Sequence, residues 1–132
     1  MIDRIRFTAS ARNQLITLKR KTGIEHYNVL CRHALCLSLA NINVLVEEEY
    51  NFNNGLEIDW RTLTGGNEAL YLNLVLFRAA RDGINLDEQS IKSYLTRHLH
   101  RGLAHLANIK DLGRPEFLAI DLTSKAMAHL PS

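Results

Sequence analysis

The stretch from residue 28 to residue 40 constrains the fold most. Read as a helix, it spreads Val29, Leu30, Ala34, Leu35, Leu37 and Leu39 over nearly its whole circumference. A helix that is apolar all round belongs at the centre of a domain, under cover from other elements. Residues 88–108 can supply cover, because Ile91, Leu95, Leu99, Leu103 and Leu106 recur at spacings of three and four. Gly102 inside that stripe weakens the expectation of one continuous helix. Residues 67–82 predict a further helix, with Leu70, Leu74 and Phe77 as its stripe, Tyr71 and Leu72 beside it, and Asp82-Gly83 as its stop.

Ahead of the central helix the hydrophobic period changes. Residues 2–8 alternate, with Ile5 and Phe7 on one face and Arg4, Arg6 and Thr8 on the other, which predicts a strand. Thr8 or Ser10 can then cap a helix over 9–22 whose inner stripe is Ala11, Leu15, Leu18 and Thr22. Gly23 ends that helix. Residues 41–66 lack helical spacing. There a turn cluster (Asn51, Asn53, Asn54, Gly55) precedes an extended segment with Leu56, Ile58 and Trp60 on one face. Residues 109–132 hold one candidate strand, 116–122, after Gly113-Arg114-Pro115. The reading is a mainly α, single domain over 1–132. It begins with a ribbon-helix-helix-like strand and two helices (1–40) and continues through an acidic connector (41–66). Two longer helices (67–108) and a tail (109–132) follow, with short extended segments between helices.

Charge is divided along the chain. Residues 1–46 carry +5, residues 47–68 carry −5 and the remainder +2, within a net charge of +2. A basic half suits a polyanion, with the acidic segment facing elsewhere. With 46% hydrophobic and 23% charged residues over 132 positions, the chain is not a disordered tail or a disulfide-dense mini-protein. No apolar run approaches the ~20 residues that span a bilayer, so no membrane partner is expected. No apolar stretch follows Met1, so a cytoplasmic location is expected, where Cys31 and Cys36 fit reduced thiols.

Signals of catalysis are incomplete. Cys31 and Cys36 on one helix point about 140° apart and cannot easily share a metal or a disulfide. His98 and His105 share a helix face, but Arg101 stands between them and the i, i+4 histidine pair of a helical zinc site is absent. That stripe reads as a partly buried or surface feature, and a nickase built on His98, His100 or His105 lacks a complete motif. Gly65-Gly66 before a helix is not a phosphate-binding loop without its lysine. No catalytic residue, metal site or cofactor is predicted. The strongest constellation is the basic strand-helix-helix order. In a ribbon-helix-helix module, strands of two chains pair and lie in the DNA major groove. Arg4, Arg6, Arg12, Lys19, Arg20, Lys21 and Arg32 are the candidate DNA-binding residues. A lone strand without a neighbour in its own chain also predicts at least a dimer.

Several segments resemble the DndE family of DNA sulfur-modification proteins. They are Arg4-Ile-Arg-Phe-Thr, Leu18-Lys-Arg-Lys-Thr-Gly23, Leu30-Cys-Arg-His-Ala-Leu-Cys-Leu-Ser-Leu39, Gly55-Leu-Glu-Ile-Asp, Thr62-Leu-Thr-Gly65 and His98-x-His-Arg-Gly102. The resemblance spans roughly residues 2–108. It implies a helical, non-catalytic accessory protein of bacterial DNA phosphorothioation and of the restriction-modification system it serves. By the same resemblance it is a homotetramer that binds double-stranded DNA, prefers nicked DNA, and works beside other phosphorothioation proteins. The family's basic surface carries over most directly to Lys19, Arg20 and Lys21. An autonomous ribbon-helix-helix repressor, reading bases with Arg4, Arg6 and Thr8, is the alternative.

Overall fold

The structure is a computed structural model and describes residues 2–110. In chain order the elements are β1 (Arg4–Phe7), α1 (Ala9–Thr22), α2 (Tyr27–Ala40), β2 (Leu56–Asp59), α3 (Trp60–Leu63), α4 (Glu68–Arg81) and α5 (Glu88–Ala107). The molecule is mainly helical, as the spacing predicts. The candidate strand at 116–122 lies outside the described residues.

α2 is the central helix, with Leu30, Cys31, Ala34, Leu35, Leu37, Ser38 and Ala40 buried. Its most extensive packing is against α5. α5 runs without interruption through Gly102 and buries Ile91, Leu95, Leu99, Leu103 and Leu106 on the expected stripe. A Cβ at Gly102 would overlap the Ala34 carbonyl oxygen. The glycine is therefore what lets the two helix backbones meet, and it does so without breaking α5.

α1 covers α5 and α2 with Ala11, Leu15 and Leu18. The Thr8 hydroxyl accepts from the Ala11 N–H at 3.1 Å. Gly23 closes the helix in the left-handed region, at φ 72°, with its N–H donating to the Lys19 carbonyl.

β1 differs from the expectation of a strand without a partner in its own chain. It pairs antiparallel with β2, in the register Arg4↔Asp59, Ile5↔Ile58, Arg6↔Glu57 and Phe7↔Leu56. Gly55 makes the approach possible, because a Cβ there would overlap the Phe7 carbonyl. The Trp60 N–H extends the ladder to the Asp3 carbonyl at 2.8 Å.

α4 differs in its orientation. Leu70 and Phe77 of the predicted stripe are 56% and 48% exposed, while Val75, Arg78 and Ala79 face inward. The reason is Arg78. Its guanidinium donates to the Leu39 carbonyl at 2.8 Å, to Asn41 at 2.7 Å and to Asn43 at 3.3 Å, and its Nε meets Asp82 at 3.0 Å. Arg101 of α5 completes the clamp, donating to Ser38 Oγ at 2.9 Å, the Ser38 carbonyl at 2.8 Å and the Asn43 carbonyl at 2.7 Å. Carbonyls left over at a helix end need donors, and a buried and a half-buried arginine supply them at the end of α2.

Gly102→Ala should destabilise the fold by at least about 1–3 kcal/mol, because the obstructing atom is backbone and cannot rotate away. Urea unfolding of both proteins measures this, and equal midpoints would contradict the close approach of α2 and α5.

Candidate nucleic-acid interface

α1 contains no acidic residue, and its outer side is basic. At 100° per residue, Arg12, Ile16, Lys19 and Arg20 fall within about 100° of one another, on one side of the helix outside the inner stripe. All four are exposed. Lys21 is exposed too, about a quarter-turn round the helix from Arg20. Lys19, Arg20 and Lys21 stand in the last turn, where positive charge also offsets the helix dipole. The Lys19 ammonium rests 5.7 Å from the centre of the Tyr27 ring.

The other three candidates are placed differently. Arg4 and Arg6 do project from the exposed face of β1. However, the β2 residues opposite them are Asp59 and Glu57, and Arg4 lies 4.0 Å from Glu57. The acidic segment thus faces part of the basic one instead of pointing elsewhere. The Arg6 guanidinium sits over the Phe52 ring, 4.9 Å from its centre. Arg32 is half-buried and donates to the Leu63 carbonyl at 2.9 Å, beneath the turn at Gly65. These contacts make Arg32 a brace between α2 and the α3–α4 turn. The ribbon formed with a second chain loses its premise, since the backbone ladder of β1 is made inside the chain.

The histidine stripe turns inward. His98 is fully buried, and its Nδ1 lies 2.7 Å from Ser38 Oγ. Arg101 Nε donates to the same oxygen, so the hydroxyl joins the imidazole to the guanidinium. Burial holds its pKa down, helped by Arg101 and Arg78, to about 3. His100 is pinned between the Thr8 N–H, 3.2 Å from Nε2, and the Thr96 carbonyl, 2.8 Å from Nδ1. Burial lowers its pKa as well. Only His105 of the three is exposed. Among the described residues no cluster of three His, Cys, Asp or Glu side chains is arranged to hold a metal. Cys31 is buried and Cys36 half-buried, and burial raises the pKa of both.

Sequence reasoning did not single out the arginine clamp or the ring cluster of Tyr50, Phe52 and His100. Tyr50 stacks on His100 with ring centres 4.3 Å apart, and Phe52 lies 6.0 Å from Tyr50. The aromatic pair two residues apart in a segment without helical spacing was the available signal.

Residues 4–113 match the family model described as DNA sulphur modification protein DndE. No curated protein matches the chain. No helix among the described residues is long and apolar enough to cross a membrane.

The buried neutral histidines give stability a pH dependence of definite sign. Above the ordinary histidine pKa of 6.5 both folded and unfolded His98 are neutral. As pH falls from 6.5 toward about 3, the unfolded chain takes a proton that the folded chain refuses. Stability should therefore fall through that window, and His98→Asn should flatten the fall. Urea midpoints at pH 7.5 and 5 for both proteins measure it; parallel pH profiles would contradict a neutral His98.

Proposed function

The chain belongs to the DndE family of DNA sulfur modification proteins, and from that premise we propose that it binds duplex DNA through the outer face of α1. It is a non-catalytic accessory protein of cytoplasmic phosphorothioation, preferring nicked over intact duplex and working beside other modification proteins. One observation carries this reading. Arg12, Lys19 and Arg20 share an exposed helix face on an element without acidic residues, while the basic groups of β1 face carboxylates. Phosphate contacts from such a face give affinity without base information. Capped by Thr8 and Gly23, α1 carries these charges on one continuous helix. The chain acts as a homo-oligomer, a tetramer by family. The exposed Leu70 and Phe77 on α4 are apolar surface that association would cover.

Replacing Lys19 and Arg20 together by alanine should weaken binding to intact and singly nicked duplexes alike, whatever the sequence. The slope of log K against log salt should shrink by about 2, close to 0.9 per lost phosphate contact. Titrations at several salt concentrations, on one sequence and its shuffled form, measure this. Unchanged binding by the variant would refute the α1 interface. Strong sequence preference without a nick effect would point instead to a repressor.

A further inference from the structure

Outside α1 lies a second feature that the proposed helix-face contacts do not use. Arg6 of β1, Glu48, Tyr50 and Phe52 of the connector, and Lys92 and Ser93 of α5 line an open cavity of about 280 Å³. Its floor is rigid. Tyr50 is stacked on His100, whose two ring nitrogens are both engaged by backbone groups. Its rim holds two exposed cations, Arg6 and Lys92, and one exposed carboxylate, Glu48. The Arg6 guanidinium carbon lies over the Phe52 ring, 4.9 Å from its centre, so a planar group entering here meets a cation as well as the two rings that line the cavity.

We infer that this cavity takes a single nucleotide whose base has left the helical stack. The base lies against Tyr50 and Phe52, because any base has a π-face that stacks on aromatic rings or on a guanidinium. Its phosphate falls to Arg6 and Lys92. Glu48 accepts a hydrogen bond from an exocyclic amino group, the contact a carboxylate makes to cytosine N4. Thymine has no such group and turns a carbonyl toward the carboxylate instead. A base stacked within an intact duplex cannot enter, so the ligand is an unpaired or terminal nucleotide. The inference deepens the DNA-binding reading and rests on it for the class of ligand, while using residues other than those of α1.

The test uses trinucleotides, too short to form a duplex, with 2-aminopurine at the centre. Full-length protein should quench the probe's fluorescence saturably. Phe52→Leu, which keeps an apolar side chain without a ring, should abolish the quenching while the urea midpoint stays near that of the parent. Lys92→Ala should weaken it several-fold, and the Lys19→Ala, Arg20→Ala protein should retain it. Tri-dC should compete roughly fivefold better than tri-dT, and Glu48→Gln should narrow that gap. No saturable quenching, or quenching unchanged by Phe52→Leu, would overturn the site; equal competition by tri-dT would overturn the role of Glu48. Failure of the α1 reading would show separately, as absent binding of a blunt duplex.

Discussion

At Gly102 and Ala34 the backbones of α5 and α2 touch, and the rest of the molecule is arranged around that contact. A closer approach buries more of both helices, but it also brings the end of α2 deep into the fold with its last carbonyls unpaired. Arg78 and Arg101 answer that need from two different helices. Burying a guanidinium is costly unless its donors are filled, and here backbone carbonyls, Ser38 and Asp82 fill them. Burial, helped by the same pair of cations, holds the His98 pKa down beside Ser38. Tyr94 closes the network by donating to Asp82 at 2.6 Å. A fold held in this way has little freedom at its centre, which leaves recognition to the periphery.

Charge at the periphery is sorted by secondary structure. On the sheet, Arg4 and Arg6 stand across from Asp59 and Glu57, so that face is close to neutral. On α1 no carboxylate interrupts the bases. A polyanion approaching the molecule therefore meets uncompensated charge at α1. Exposed charges of this kind act over about 8–10 Å at physiological salt, enough to steer a duplex before contact. The ring cluster under Arg6 offers a different chemistry, flat and partly apolar, suited to a base and not to a backbone. Its position on the connector makes residues 48–52 more than a link between α2 and β2.

Local signals in the sequence were reliable where the cause is local. The span of α1, its Thr8 cap and its Gly23 stop follow from residues within a turn of each end. The all-round burial of α2 follows from its composition. What could not be read depends on partners distant in sequence. Leu56 to Asp59 reads as extended, but nothing in it says that it will pair with Arg4 to Phe7. Counting apolar residues put Leu70 and Phe77 of α4 on the inner stripe and gave Arg78 no place; in the structure Arg78 is buried, reaching carbonyls near residues 39–43. Gly102 looked like a break for a similar reason, since its role is set by Ala34. Of the seven basic candidates, the four on α1 are exposed, Arg32 on α2 is drawn in by the Leu63 carbonyl, and the strand pair is exposed but stands opposite the carboxylates of β2.

The most direct test of where DNA lies is photo-crosslinking from chosen positions. A benzophenone amino acid placed at Ile16 stands among Arg12, Lys19 and Arg20, and one placed at Glu57 stands on the sheet. With a singly nicked duplex at moderate salt, crosslinks should form from position 16 and be absent from position 57. Crosslinks from position 57 with none from position 16 would place the duplex on the sheet and contradict recognition through α1.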